Sequence, residues 1–459
     1  MPRHRTNSVD LSEVPKLYQF LITVLVLSTM FLVAQTAMSS YHGSSDSVYP
    51  YLINEGANGP DDIGPLNCKT RILGGHYFGD FQSEYCRMRQ VTPYPIDRPS
   101  SYWPGFYVVS GLIVLIPSSV AAFRVVVLLA FIFGVYVMRL HFARMDLAKL
   151  SPLLLLTFFP FWFAIDRGNY GWIFGSLLVS LATTKTARSQ RYWIIAVAVS
   201  FKFPLAVFVL LFFADGNWKA KIKELSKFFV FFVFLNFLFP ILQWPGAQNW
   251  PKTVLRVQGL MPGESSIGVT SSDFNLYTRS DIHAFVTSFD RLSFLSDFDL
   301  FLFKGILAGL IVLVIFLSIK KLTTQSNGKW GLVELSVIAS CLSTLLSPFS
   351  FSYGLMALLI PIVLLLSPQG DAVRFRNSYL MLLAVSSVPN AIPLRAMCEL
   401  LFHPIEGSLN ADFPDLGNFL IPVSLITMLL LVAYSAVLSY LSTRETQHNP
   451  VAVSVDLPQ

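Results

Sequence analysis

Hydrophobic residues run along this chain in long unbroken blocks. The blocks cover 17–38, 106–140, 192–213, 226–243, 299–319, 331–346, 354–368, 378–394 and 417–441. Their lengths centre on the roughly 20 residues that carry a helix across a bilayer core of about 30 Å. Two shorter blocks, 151–165 and 170–183, lie on either side of a polar insert, FAIDRGNYG at 163–171. Hydrocarbon leaves no backbone group without a partner, so the blocks predict helices, full or broken. Continuous apolarity excludes a β-barrel, whose strands alternate. The expected fold is an all-α polytopic membrane protein, one domain over residues 1–459.

Arg3, His4, Arg5 and Lys16 precede the first block, the pattern of a signal peptide. The block is too long for the apolar core of such a peptide and lacks a small-residue cleavage site. It reads instead as a retained first helix with a cytoplasmic N-terminus. Basic clusters at Arg139–Lys149, Lys185–Arg191, Lys219–Lys227, Lys320 with Lys321, and Arg374 with Arg376 orient the remainder, because cytoplasmic loops collect Lys and Arg. With all of them inside, the outside receives 39–105, the DRGN insert, FKFP at 201–204, 244–298, 347–353 and 395–416. That arrangement requires 106–140 to be one long crossing interrupted at Pro117, and 192–213 to turn back at Pro204. A plain serpentine of twelve spans, the alternative, puts DRGN inside.

Composition agrees with the pattern. Hydrophobic residues make up 54% of the 459, and charged residues 13%, against about 25% in an ordinary soluble domain. The net charge of +6 sits in the loops, where it suits anionic headgroups and calls for no nucleic acid. Of four cysteines, Cys68 and Cys86 share the first outer loop, where an oxidising compartment permits a disulfide, and Cys341 lies within an apolar block. The outer loops 39–105 and 244–298 are long enough to fold over the membrane surface. Residues 442–459 read as a cytoplasmic tail.

Asp166 and Arg167 stand where two apolar blocks meet. Ionisable groups at such depth line a wet cavity or pair with each other; alternatively, Asp166 caps the helix that starts near Tyr170, with Gly168 easing the turn. One helix end can also hold an anion such as a phosphate. Lys202, in SFKFPLAV, has apolar residues on both sides, and Pro204 breaks the helix beyond it. A phosphate gives that lysine a partner, and a salt bridge to Asp166 is the other option.

These residues resemble glycosyltransferase family 87, the polyprenyl-phosphate-mannose-dependent membrane mannosyltransferases of the GT-C superfamily. The matching positions are Asp166, Arg167, Gly168, Asn169, Lys202 and Pro204. SDSVYPYL, with Asp46 and Tyr49, resembles the D-x-x-VY after the family's first helix. PSSYWPGFY, with Tyr102 and Pro104, resembles its YPP segment. LLSPFSFSYGL, with Ser347, Pro348, Ser350 and Tyr353, resembles its SPxSW segment, although Phe351 stands for the Trp and Tyr353 for a following His. The resemblance runs in order over roughly residues 17–370.

It implies a bundle of about 10 to 12 membrane helices with large outer loops, and an inverting transfer of a hexose, commonly mannose, from a polyprenyl-phosphate sugar to a hydroxyl of a glycan or glycolipid on the extracytoplasmic face of the cell or inner membrane. Such a hydroxyl needs a carboxylate to take its proton. Asp46 is the expected base, with Asp97 the runner-up and Asp80 and Glu84 behind. The leaving phosphate needs cations and N–H donors, which assigns it to Arg167 and Lys202 with Asp166, Gly168 and Asn169 around them. Tyr49, Tyr102, Trp103, Arg279, His283, Ser350 and Tyr353 are candidates for holding the sugar or the acceptor. Most outer aromatics, Trp244 and Trp250 among them, read as an interfacial belt. The donor is a substrate, so no cofactor is expected, and DRGN offers a single acid where metal-using GT-C branches have a pair. A secondary transporter also puts charges at broken helices, but it lacks a need for such outer loops. A lipid-linked oligosaccharide polymerase or flippase shares the ligand but carries several deep arginines.

Overall fold

The computed structural model describes residues 14–41, 79–89, 102–142, 148–149, 151–166, 168–214, 218–238, 331–345, 352–371, 373–388 and 417–448, with isolated positions at 306, 309, 312, 313 and 316. Among them the chain is helical, with no strand. Two helices contain stretches long and apolar enough to cross a bilayer, Ala121–Phe142 and Leu420–Leu438. The remaining apolar stretches found among the described residues are 10–17 residues long, Leu17–Met30 within the first helix among them.

Helix α1 (Val14–Tyr41) precedes α2 (Gly79–Met88), a short amphipathic helix within the polar segment 39–105. Proline opens α3 (Pro104–Ser110), which tightens into a 3₁₀ turn at Gly111–Leu115. The block at 106–140 is therefore not one continuous helix. The helical pattern is interrupted at 116–118, around Pro117, and α4 (Ser119–Phe142) starts afresh. The block at 151–165 is also split, into α5 (Ser151–Thr157) and α6 (Phe159–Asp166). Pro160 lacks the N–H that would reach the Leu156 carbonyl one turn back. The Trp162 indole N–H takes that carbonyl instead, at 2.8 Å.

Helix α7 (Tyr170–Ala182) and α8 (Arg191–Phe201) form an antiparallel pair whose glycines allow close approach. A Cβ on Gly175 would lie 2.5 Å from Leu205 Cδ1 and 3.3 Å from the Ala198 carbonyl. After α8 the chain turns back at Lys202 into a 3₁₀ helix, Phe203–Phe213, as the Pro204 break leads one to expect. The return is direct: Arg191 Nη1 donates to the Leu211 carbonyl at 3.1 Å while its Nε donates to Ala182 at 3.0 Å. One buried guanidinium thereby closes two helix C-termini. Helix α9 (Trp218–Val233) ends in a π-helical turn, Phe234–Leu238.

The centre is α10 (Gly331–Leu345), all of whose residues are buried, flanked by the 3₁₀ segment Ser352–Leu358 and the equally buried α11 (Leu359–Leu366). Helices α12 (Arg376–Ser386) and α13 (Gly417–His448) pack on each other and on that centre. Helix α13 runs beyond the apolar block at 441 into the region read as a tail. The periphery carries its large apolar side chains outward: Leu25 is 60% exposed, Leu128 58% and Val230 72%.

The basic clusters of three different loops meet at one end of this bundle. His141 Nε2 lies 3.1 Å from the Ser180 carbonyl, Arg191 reaches Ala182, and Lys227 sits over the Tyr192 ring at 5.2 Å. Lys202 and the start of α7 lie at the opposite end of the α7–α8 pair.

Candidate functional site

At that opposite end the DRGN insert is read out as a helix stop followed by a helix start. Helix α6 ends at Asp166. Gly168 has φ 69°, the left-handed conformation that costs glycine little. Its N–H donates to Ile165 O at 2.9 Å and the next, Asn169, to Ala164 O at 2.8 Å. Two such bonds around a left-handed glycine make a Schellman termination. The N-cap of α7 is Asn169, so Asp166 does not cap that helix as the sequence allowed; it belongs to the helix before. The backbone of the turn ends one helix and begins the next, with Gly168 and Asn169 buried.

Asn169 is buried, and its Oδ1 accepts the Tyr102 hydroxyl at 3.3 Å. Tyr102 comes from the segment just before α3, where Pro104 fixes the backbone at the first helical position. Its ring carries Lys202 Nζ at 3.9 Å from the centroid, a cation–π contact. Lys202 stands in extended backbone, φ −150° and ψ 114°, between α8 and the 3₁₀ helix. Its N–H bonds Ala198 O and its carbonyl accepts from Leu205, each at 3.0 Å, so the break is held from both sides. A Cβ on Gly171 would meet Tyr102 Cε1 at 2.8 Å, Phe201 O at 3.0 Å and Lys202 Cε at 3.4 Å. The lysine stem and the tyrosine therefore pack directly on the first turn of α7, which begins at the positive end of a helix dipole.

Tyr102, Trp103, Gly168, Asn169 and Lys202 are thus brought together. Trp103 stacks on Phe203 at 5.1 Å with rings 10° apart and touches Phe232 and Phe237. One face of its indole is occupied by a protein ring, so it anchors α3 to the Lys202 break. Asp46, Tyr49, Asp97, Arg167, Arg279, His283 and Ser350 lie outside the described residues. So do the side chains of Asp80, Asp166 and Tyr353. Among the described residues no three His, Cys, Asp or Glu side chains gather to hold a metal ion.

One feature was ranked low by the sequence and another was not singled out by it. Glu84, ranked low there, is buried and accepts a short hydrogen bond from Tyr107. Helix α2 brings it in: Phe81, Glu84 and Tyr85 occupy one face, and Phe81 packs edge-on against Tyr170 at 5.5 Å. The amphipathic spacing of α2 is the signal that could have placed it. The second feature is Asn236, fully buried in the π-helical turn. Its Oδ1 accepts Gly105 N at 2.9 Å and its Nδ2 donates to Ser200 Oγ at 2.8 Å and Phe232 O at 3.0 Å. It ties α3, α8 and α9 together immediately behind Lys202. A lone Asn in an apolar run gives little warning of this in sequence.

Cys86, on α2, is disulfide-bonded, its partner lying outside the described residues, whereas Cys341 is free and buried. No family model, curated protein or solved structure matches the chain.

Proposed function

We propose that the chain is a multi-pass membrane glycosyltransferase. It moves a hexose, mannose in the first place, from a polyprenyl-phosphate sugar to a hydroxyl of a glycan or glycolipid on the extracytoplasmic face. The observation that carries this reading is Lys202 itself: an ammonium held at a helix break on the Tyr102 ring, against the N-terminal turn of α7. A phosphate ester is the ligand such a combination of cation and helix N-terminus suits.

Other features support it. Large apolar side chains face outward on the peripheral helices, and soluble surfaces seldom carry so many together. Three of the basic clusters share the end away from Lys202, which the positive-inside bias makes cytoplasmic. The disulfide at Cys86 belongs in an oxidising compartment, on the Lys202 side.

In the reaction, the acceptor oxygen attacks the anomeric carbon as the bond from that carbon to the phosphate oxygen breaks. Asp46 takes the acceptor proton and the configuration inverts. Polyprenyl phosphate leaves as an anion, its charge met by Lys202, with Arg167 assigned to the same group. No metal takes part in this scheme.

The test is transfer of radiolabelled mannose from polyprenyl-phosphate-mannose into a membrane lipid extract. Wild-type protein is expected to incorporate label, and Asp46→Asn to lose it at equal protein level. Activity that survives Asp46→Asn moves the role of base to Asp97. Absence of incorporation with mannose and with other polyprenyl-linked hexoses removes the transferase reading.

A further inference from the structure

A groove of about 460 Å³ runs down the outside of the bundle between α4 and α6, lined by none of the residues of the Tyr102–Lys202 contact. Its walls are Phe123, Val127, Leu128 and Phe131 on one side and Phe161, Trp162 and Ile165 on the other. The α4 residues fall at i, i+4, i+5 and i+8, a single stripe, along roughly 12 Å of helix. A side chain of opposite character completes the lining. Arg124 is exposed in the second turn of α4 and makes no hydrogen bond or ion pair with the described residues.

An apolar slot with one uncommitted guanidinium near its end has the chemistry of an amphiphile with a hydrocarbon chain and an anionic head. Guanidinium binds phosphate oxygens in a forked, two-point geometry. The end that carries Arg124 is also the end near the candidate site. Phe123 packs against Phe81 at 5.2 Å, Phe81 against Tyr170 at 5.5 Å, and Ile165 immediately precedes the DRGN turn. Leu128 and Trp162, 58% and 39% exposed, leave the slot open along its side to the surrounding lipid. A chain can slide in laterally without crossing water.

We infer that the groove between α4 and α6 seats the isoprenoid chain of a polyprenyl phosphate, with Arg124 as the counter-charge that draws its head toward the DRGN turn. This rests on the proposed use of a lipid-linked donor, and it adds a route and a holding residue that neither the motifs nor the Lys202 site provides. Arg124 acts in positioning; it is not assigned to the departing phosphate.

The experiment uses the full chain in phosphatidylcholine vesicles and a diazirine-bearing polyprenyl phosphate without sugar. On illumination, label is expected on the peptides carrying Phe131 and Trp162. Arg124→Gln should lower that label about tenfold and Arg124→Lys should largely restore it, because a charge-assisted hydrogen bond to phosphate contributes on the order of that factor. Leu128→Trp, which narrows the slot from an exposed position, should lower it with the arginine intact. Excess unlabelled polyprenyl phosphate should compete, and phosphatidylglycerol should not. Label spread evenly over the outer helix faces, label unchanged in Arg124→Gln, or equal competition by phosphatidylglycerol would each overturn the assignment, the last by making the groove a general anionic-lipid seat. Since the probe carries no sugar, labelling here without sugar transfer would refute the transferase reading and leave the groove standing. Transfer unaffected by both groove variants would do the reverse.

Discussion

Gly168 and Lys202 are the residues on which the site's geometry turns, and they do so through backbone conformation. Gly168, at φ 69°, lets α6 stop and α7 start within three residues of chain. An alanine there must hold a left-handed backbone at a cost of about 1–2 kcal/mol. Gly168→Ala is therefore expected to lower the apparent melting temperature in detergent, and to disturb the Asn169–Tyr102 contact that follows directly. Unchanged melting would mean the turn relaxes into another conformation. Lys202 is extended where its neighbours are helical, which directs its side chain across Tyr102 rather than along α8. Both positions were readable as breaks in the sequence, from Gly168 and from Pro204. What was not readable is that Asn169 is the N-cap of α7, since Asp166 and Asn169 are equally good capping residues by type. The Schellman bonds to Ile165 and Ala164 decide between them.

Among the elements, α3, α8 and α9 owe their mutual fit to Asn236. Its amide bonds Gly105 N, Ser200 Oγ and the Phe232 carbonyl, one group from each of the three elements. A Cβ on Gly105 would come within 2.7 Å of Ser200 Oγ and 2.8 Å of Asn236 Oδ1, so the approach needs glycine. Asn236→Leu strips a buried backbone N–H of its partner and is expected to destabilise the protein by about 1–3 kcal/mol. The variant should melt earlier and lose activity in proportion, since Trp103 and Lys202 rest on the same elements; full stability in Asn236→Leu would contradict that role. Fully buried helices such as α10 and α11 followed closely from their apolar blocks at 331–346 and 354–368. The break in 106–140 falls around Pro117, where the sequence put an interruption, but the split in 151–165 did not follow, because hydropathy sees no difference between a continuous helix and two helices joined at a proline. Pro117 and Pro160 carried that information, and Trp162 offsets the second break by taking the Leu156 carbonyl. Helix α2 was invisible for the opposite reason: its polar outer face blends into a polar loop, and only the buried spacing of Phe81, Glu84 and Tyr85 marks it.

At the scale of the whole molecule, the gathering of basic residues at one end fixes an axis. His141 meets Ser180, Arg191 meets Ala182 and Leu211, and Lys227 meets Tyr192, while Lys202, Tyr102 and the disulfide-bonded Cys86 lie toward the other end. Helix α8, with 11 residues, spans only about 16 Å from Arg191 to the Lys202 break. In the proposed membrane orientation the lysine lies well inside a bilayer core of about 30 Å, where a charge persists only with a partner or in a wet cavity. Under the proposed orientation, Ser189→Cys on the exposed basic turn should react with a membrane-impermeant thiol reagent only after cells are permeabilised. Labelling of that position in intact cells would invert the molecule and place the Lys202 site on the cytoplasmic side.

The central claim is that Lys202 meets the phosphate of a lipid-linked sugar. The measurement that tests it most directly is kcat/KM for polyprenyl-phosphate-mannose with purified Lys202→Ala and Lys202→Arg, each checked for unchanged melting. Loss of a preorganised charge at the leaving group predicts a fall of roughly a hundredfold in the alanine variant, about 2.7 kcal/mol of transition-state stabilisation, with partial recovery in the arginine variant. A Lys202→Ala protein that folds normally and transfers mannose within about twofold of wild type, a difference under about 0.5 kcal/mol, would contradict the account.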